Sequence, residues 1–392
     1  MAKSQTEHIS FFCRCLGLYF LCLILGSLRL GQVGSLLRQI AILPILVWVF
    51  QSHKVRANQI ILSGVLFVGW CVISYVWTIR PTATVTRIVS QVMYLVLLFA
   101  CSGYSYSKNE IDFLEQCLVW SSRITAVIML ASGNYIEGRL CLSGLIQEDP
   151  NYLCGYMFYA VAYCTSQLNM RDLKFSRKLL AVLELLVYAY VLYSTGSRGG
   201  LLATVMVAGA CILLAGEKTL KSMANRIIIV VVMLVVASVA SSFLPSEIAN
   251  RFSAEAIMTS GGTGRFEIWE DALNAYSNYP VFRKIVGYGG ASFYEITFRY
   301  PFRINNVAHN IFIENLCEAG LVGLVIYLYH LGSYIYVALR TKRPIILGTL
   351  TGLIALSISN SLQVFKPYWN IMLFTLALSI YAKQQKDGGG GV

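Results

Sequence analysis

The sequence feature that most constrains this chain is the recurrence of apolar runs of about 20 residues along nearly its whole length. A run of that length lets a helix cross the roughly 30 Å hydrocarbon core of a bilayer. The predicted spans are 11–28, 33–50, 59–77, 84–101, 113–132, 151–168, 178–196, 199–215, 226–243, 308–339, 344–361 and 367–382. The sequence therefore predicts an all-α integral membrane protein with about 12 transmembrane helices.

The composition agrees with a surface that faces lipid. Hydrophobic residues make up 57% of the chain and charged residues 13%, about half the charged share of a typical soluble domain, and the mean hydropathy is +0.64. This balance excludes a water-soluble enzyme, a disordered chain and a disulfide-stapled secreted domain. The net charge of +12 lies in short clusters between apolar runs, which does not indicate a nucleic-acid partner.

The placement of lysine and arginine predicts the topology, because basic side chains resist translocation. Basic clusters such as Arg340, Lys342 and Arg343 fall on alternate connections, which we assign to the cytoplasm. Both termini are then cytoplasmic. We expect one polytopic membrane domain over residues 1–387, no cleaved signal, and a glycine-rich cloning remnant at 388–392.

One connection, residues 244–307 on the outer side, is far longer than the others. Loops beyond about 12–15 residues are uncommon unless they are functional or disordered, and this one is rich in aromatic residues. Phe266, Trp269, Leu273 and Tyr276 recur at helical spacing before Pro280. We predict an amphipathic helix here that caps a cavity.

Two outer connections carry arginines suited to an anionic ligand. Arg198 lies in a short turn rich in glycine and serine, where exposed backbone N–H groups and a guanidinium could bind phosphate together. We expect Arg139 to be a second phosphate contact and Asn151 to lie at the N-cap of the next helix. Snorkelling of Arg198 to lipid headgroups and simple capping by Asn151 are the alternatives.

Two further candidates lie at the borders of the long loop. Arg265 follows Gly264 at the start of the predicted loop helix, where free N–H groups favour anions, although a solvated surface arginine is the simpler alternative. His309 precedes the next span and can accept a proton near neutral pH, unless it only caps that helix. Glu314 and Glu318 are spaced so that one helical face could present them with His309.

These stretches together resemble the O-antigen polymerase and ligase superfamily, the Wzy and WaaL type integral membrane glycosyltransferases. The matching parts are the turn at 197–199, the element from Arg139 through Gly144 to Asn151, the helix at 264–269, the Gly-Tyr-Gly turn at 287–289 and the run 309–320. They cover roughly residues 138–340, in the superfamily's order and on one side of the membrane.

The resemblance implies transfer of a glycan from an undecaprenyl diphosphate carrier to a hydroxyl acceptor. It places the phosphate-binding arginines at Arg198 and Arg265 and the essential histidine at His309. It implies a site on the outer face of the bacterial cytoplasmic membrane, with a chain-length regulator protein as a further partner. Substrate contacts are predicted for Arg139, Asn151, Tyr288, Asn310 and Arg303.

General chemistry then predicts an inverting single displacement. The arginines would stabilise the departing diphosphate, and His309 would remove the proton of the attacking hydroxyl. We expect no cofactor and no metal, because Glu148 and Asp149 form the only adjacent acidic pair in the smaller outer loops and offer few hard oxygen ligands. Activity should therefore persist in excess chelator.

Three functions stay open at this point. A polymerase of repeat units is favoured, because the long loop has enough basic residues for two carrier diphosphates: Arg251, Arg283, Lys284, Arg299 and Arg303 besides Arg265. A ligase that attaches a finished glycan would use the same catalytic parts. A secondary transporter would use ionisable groups within spans, but these are scattered singly along the sequence: Arg38, Arg87, Glu115, Arg123 and Glu184.

Overall fold

The computed structural model describes residues 8–28, 36–51, 54–136, 138–144, 146–170, 172–214, 264–299 and 307–388. Its first part consists of the helices α1 (Phe11–Leu21), α2 (Leu36–Gln51), α3 (Gln59–Ile73), α4 (Pro81–Gly103) and α5 (Lys108–Ser132). The start of α5 carries a capping box, in which Ser107 and Glu110 satisfy each other's backbone N–H groups. Pro81 begins α4, at a position where no hydrogen bond is lost.

A small antiparallel sheet follows α5, in the order β1 (Asn134–Ile136), β2 (Arg139–Ser143) and β3 (Gln147–Glu148). The chain continues through α6 (Pro150–Leu153), a short 3₁₀ turn, α7 (Phe158–Leu168), α8 (Phe175–Ser194) and α9 (Arg198–Leu214). The continuous span predicted over 151–168 is wrong, since the chain forms two helices joined by the 3₁₀ turn. The span predicted over 226–243 lies outside the described residues.

Three helices of the long outer loop are described, namely α10 (Arg265–Ser277), α11 (Val281–Val286) and α12 (Phe293–Arg299). The remaining helices are α13 (Ile311–Thr341), α14 (Pro344–Ser357) and α15 (Lys366–Gly388). α13 packs against α3, α11 and α15, and α14 packs against α7 and α9. One large apolar core is formed by helices α1 to α9 together with α13, α14 and α15. A smaller core lies under the helices of the outer loop.

Helix α10 confirms the helix predicted in the long loop, but only part of its aromatic stripe is packed: Trp269 and Tyr276 are partly buried against the smaller core. Phe266 is 61% exposed and Leu273 47%, whereas Ile268, Ala272 and Ala275 are buried. The small alanines allow α10 to approach α13 closely, and the sulfur of Cys317 lies 3.8 Å from the backbone oxygen of Ala272. Close backbone packing therefore decides which face is buried.

Two glycines with positive φ lock the outer loop onto α13. Gly287 has φ of 72° and Gly320 has φ of 68°, and Gly320 kinks α13. A Cβ on Gly320 would lie 2.3 Å from the backbone oxygen of Ile285, and one on Gly287 would lie 2.1 Å from that of Glu318. Both contacts exclude any side chain, so the two backbones touch directly.

Four helical segments within the described part of the chain are long and apolar enough to cross a membrane: Gln59–Trp77, Pro81–Gly103, Lys108–Ser132 and Ile311–Thr341. Shorter apolar helices are α1, α2, α9 and α14. The structure thus confirms the predicted all-α membrane class apart from the small sheet. The span count, the cytoplasmic termini and the single-domain boundary stay predictions.

Candidate active site

The turn between α8 and α9 is built by its own side chains. The hydroxyl of Thr195 accepts a hydrogen bond from the backbone N–H of Ser197 at 3.2 Å. The hydroxyl of Ser197 accepts from the N–H of Gly200 at 3.1 Å, which caps α9. Arg198 is therefore the first residue of α9, beside the positive end of the helix.

Arg139 connects the small sheet to this turn. Its Nε donates to the backbone oxygen of Thr195 at 2.9 Å, and its Nη2 donates to Oδ1 of Asn151 at 3.0 Å. The guanidinium thus bridges β2, α6 and the turn before α9. Sequence analysis placed Arg139 near the site, and the structure brings it against the backbone of the predicted phosphate-binding turn.

Asn151 is not the N-cap of its helix, so that expectation is wrong. Asp149 caps α6, because its Oδ1 accepts from the N–H of Asn151 at 2.7 Å. The same oxygen accepts from Nδ2 of Asn151 at 2.8 Å, which turns Oδ1 of Asn151 toward Arg139. Pro150 at the first helical position was the available sequence signal, since proline favours that position directly after a cap.

Arg265, at the start of α10, reaches the turn from the outer loop. A Cβ on Gly199 would lie 3.9 Å from Nη1 of Arg265. Burial and the neighbouring cation of Arg139 lower the pKa of Arg265. The guanidinium remains charged at neutral pH, so two cations repel each other here, an arrangement that a bound anion would stabilise.

His309 lies at the entry to α13 in a backbone conformation unusual for a residue with a side chain. Its φ is 47°, in the left-handed region where non-glycine residues often mark functional sites. Asn310 follows and caps α13, with Oδ1 accepting from the N–H groups of Phe312 and Ile313 at 2.9 and 3.1 Å. The cap fixes the backbone from which the imidazole projects.

The surroundings keep the His309 imidazole neutral. Burial and the cation of Arg265 lower the pKa of His309 below 6.5, while Asp149 and Glu314 act in the opposite direction. Its Nδ1 is buried and has no hydrogen-bond partner among the described residues. A neutral imidazole with a free ring nitrogen can accept a proton at neutral pH.

Glu314 and Glu318 are bound by an arginine of another helix. They share one face of α13, as the spacing predicted, but that face binds Arg87 of α4. Nη2 of Arg87 donates to Oε1 of Glu314 at 2.9 Å, and Nη1 donates to Glu318. Glu318 also accepts from the N–H groups of Ala291 and Phe293 at 3.1 and 3.0 Å. These carboxylates therefore hold α4, α13 and the outer loop together.

The ionisable groups within the helices are not isolated, which corrects the sequence-based interpretation. Besides Arg87, Arg123 binds Glu184 at 2.7 Å, and Glu115 lies 3.7 Å from Arg343. Nη2 of Arg38 donates to the Ser90 hydroxyl at 2.8 Å. Each of these polar contacts connects two helical segments. Helix packing therefore explains the ionisable groups without a transport path.

Of the two remaining predicted residues, one belongs to the smaller core and one lies outside the described residues. Tyr288 is buried in the smaller core, where Tyr279 packs edge-on at 4.7 Å and the Arg283 guanidinium lies 4.8 Å from its ring centre. Arg283 also donates to the backbone oxygens of Trp77 and Gly287, which makes it part of the fold. Arg303 lies outside the described residues.

The acidic pair of the outer hairpin is divided between two tasks. Glu148 lies 3.3 Å from Nζ of Lys366 and accepts from the hydroxyls of Ser27 and Tyr156 at 2.5 and 2.9 Å. Asp149 caps α6 instead. The sequence did not predict this polar cluster. It connects β3 to Ser27, which follows α1, and to Lys366 at the start of α15.

Comparison with known families decides the relationship that the motifs suggested. Residues 183–328 match the family model Wzy_C, described as O-antigen ligase. The resemblance to the Wzy/WaaL superfamily is confirmed. The matched segment contains Arg198, Arg265 and His309, while Arg139 and Asn151 precede it. The match supports a role for this chain in the biosynthesis of surface glycans.

A solved structure is similar in fold to this chain. It is a chain described under "Structural coordination of polymerization and crosslinking by a peptidoglycan synthase complex". The two chains are 17% identical, with a TM-score of 0.50 over 84% of this chain and 97% of the other. At that identity the likeness concerns the fold alone. A search of curated proteins gave no match.

Proposed function

We propose that this protein is a glycosyltransferase that polymerises undecaprenyl-diphosphate-linked oligosaccharide repeat units into a surface polysaccharide. The observation that carries the proposal is the approach of Arg265 to the turn that begins α9, beside Arg139 and a neutral His309. Fixed cations next to an unprotonated base are what transfer from a diphosphate leaving group to a hydroxyl requires.

The cations supply the leaving-group half of the reaction. As the bond between the anomeric carbon and the diphosphate oxygen breaks, both electrons leave with the diphosphate. Arg265 and Arg198 bind that negative charge in a partly desolvated site, where charge-assisted hydrogen bonds are stronger than in water. The N-terminus of α9 adds its partial positive charge.

His309 supplies the other half. Its ring nitrogen takes the proton of the acceptor hydroxyl while the oxygen attacks the anomeric carbon from the face opposite the diphosphate. One displacement inverts the configuration at that carbon and leaves no covalent intermediate. General-base catalysis of this kind contributes about 10² to 10⁴ in rate.

We assign the site to the outer face of a bacterial cytoplasmic membrane. Arg139 follows the end of α5, Arg198 begins α9 and His309 precedes α13, so helix ends that the lysine and arginine distribution assigns to the outside meet here. Substrate linked to a long isoprenoid would reach the site through the lipid. Charge neutralisation by arginines makes the proposed transfer metal-independent.

A ligase is the second candidate, because the matching family model is described as O-antigen ligase. Deletion of the gene in its host separates the two functions. Surface glycan of single repeat units would support the polymerase. Accumulation of long carrier-linked chains would show a ligase, and unchanged glycan would overturn both. Complementation with wild-type protein but not with His309→Asn would link the phenotype to the proposed site.

A further inference from the structure

Asp149 contacts Asn151, which in turn contacts Arg139, and we call these three residues the strut. Asp149 also acts on the proposed base, His309. Its Oδ1 binds both the backbone N–H and the Nδ2 of Asn151 at 2.7 and 2.8 Å. Asn151 is 9% exposed, and its own Oδ1 receives Nη2 of Arg139. The chain of contacts ends where Nε of Arg139 meets the backbone oxygen of Thr195.

This chain of contacts fixes the orientation of an amide that could otherwise bind in either sense. Because Asp149 accepts from Nδ2, the amide of Asn151 must present its oxygen to Arg139. Arg139 is thereby held between Asn151 and the turn before α9. Without the carboxylate or amide oxygen at position 149, Asn151 could rotate and Arg139 would lose one of its two anchors.

The charge of Asp149 also balances the cations around the base. The groups that act on His309 are Arg265 from α10, Asp149 from the start of α6, and Glu314 from α13. Glu314 is already engaged by Arg87 through Oε1. Asp149 is exposed and caps only a four-residue helix, so a cap alone would not require a carboxylate at this place.

We propose that Asp149 is a positioning residue of the glycosyl-transfer site: it orients Asn151 and Arg139 for the donor diphosphate and offsets the positive charge beside His309. This inference rests on the proposed function for its catalytic meaning. Its structural content, the effect of Asp149 on Arg139 and on His309, is independent of which acceptor is used.

Asp149→Asn separates the charge from the geometry. Asparagine caps helices as well as aspartate does, and its Oδ1 can still accept both hydrogen bonds from Asn151. With the negative charge removed, protonation of His309 becomes harder, so the acid limb of the rate profile should move to lower pH. We expect kcat to fall about twofold to threefold because the base is slightly weaker, with KM unchanged or lower.

Asn151→Ala tests the strut without changing any charge. Arg139 then loses its side-chain anchor, and we expect KM for the carrier-linked donor to rise about tenfold or more, with the acid limb unmoved. Glu270→Gln is the matched control, because Glu270 is an exposed carboxylate on the same helix as Arg265. It should leave kcat, KM and the pH profile as in the wild type.

A second measurement does not depend on turnover. Diethyl pyrocarbonate modifies neutral imidazole, so the pH dependence of labelling at His309, followed by peptide mass spectrometry, reports its protonation. The labelling midpoint should move to lower pH in Asp149→Asn and stay in place in Glu270→Gln and Asn151→Ala. An unchanged midpoint in folded Asp149→Asn overturns the inference. A wild type that transfers no glycan, with the midpoint shifted, overturns the proposed function alone.

Discussion

The guanidinium of Arg265 lies 3.9 Å from the position that a Cβ on Gly199 would occupy. This approach joins two segments that are 66 residues apart by numbering, from 199 to 265, and brings a cation of the outer loop onto the turn that carries Arg198. The same Cβ would lie 2.5 Å from Oγ of Ser359, so glycine at position 199 also allows α9 to pack closely against the segment that follows α14. The proposed donor site is therefore assembled only when α10 is docked.

Replacement of Arg265 should affect transfer more than stability. We expect Arg265→Gln to lower kcat/KM about 10² to 10³-fold, since it removes a charge that stabilises the leaving group. The kcat/KM of Arg265→Lys should lie between those of the wild type and Arg265→Gln, because an ammonium keeps the charge but cannot bind phosphate bidentately. Turnover of carrier-linked substrate by purified protein measures both. Arg340→Gln is the control, because Arg340 lies in the last turn of α13, at the end far from His309. An equal loss of kcat/KM in that variant would contradict a local role for Arg265.

Transfer should depend on pH through an ionisation below 6.5. Burial and the cation of Arg265 make protonation of His309 harder, so its pKa is lowered. The active neutral form then persists to more acidic pH than for a free imidazole, and the rate should fall only on its acid side. The profile of kcat/KM against pH checks this. In Arg265→Gln the acid limb of the residual activity should move to higher pH. The cation that opposes protonation of His309 is gone, so the pKa of His309 rises.

The cap of α13 should matter to both stability and rate. Asn310→Ala removes the acceptor for two backbone N–H groups and should cost about 0.5–2 kcal/mol in the free energy of unfolding. Because His309 directly precedes the cap, the rate should fall as well. Asn310→Ser keeps a capping oxygen and should restore most of both. Thermal unfolding in detergent and turnover at fixed pH are the measurements, and a silent Asn310→Ala would show that the cap does not hold His309.

The Arg87 network should be a stabilising element rather than part of the reaction. Arg87→Leu leaves the carboxylates of Glu314 and Glu318 buried without their cation, which should cost about 3–5 kcal/mol. Arg123→Leu is the matched comparison. Arg123 pairs with one carboxylate, Glu184, whereas Arg87 pairs with two, so a smaller loss is expected. Denaturant unfolding compares the two, and similar losses would contradict the ranking.

Hydropathy and helical periodicity were enough to predict the membrane class and the helix within the outer loop. Those features depend on local periodicity and on segment length, which the sequence contains directly. The buried face of α10 was predicted only in part. Trp269 and Tyr276 pack against the smaller core, but the close approach of α10 to α13 at Ala272 leaves Phe266 exposed. Hydrophobicity alone does not predict how closely two helix backbones pack.

The members of the proposed site could be found one by one, but not their relations. Glycine next to arginine indicated anion binding at Arg198 and Arg265, and a boundary histidine indicated a base. The strut from Asp149 through Asn151 to Arg139 depends on hydrogen bonds between segments, which spacing does not encode. The pairing of Arg87 with Glu314 and Glu318 likewise joins residues more than 220 positions apart by numbering.

The central claim is that His309 removes the acceptor proton beside a cationic diphosphate site. It is tested most directly by transfer in proteoliposomes that contain synthetic undecaprenyl-diphosphate-linked repeat units, with wild type compared to His309→Asn. Asparagine tolerates the positive φ at this position, so the variant removes the imidazole without straining the backbone. The account predicts elongated glycan and released carrier diphosphate from the wild type, and at least a 10²-fold slower rate from the variant. Wild-type rates from a folded His309→Asn protein would contradict it.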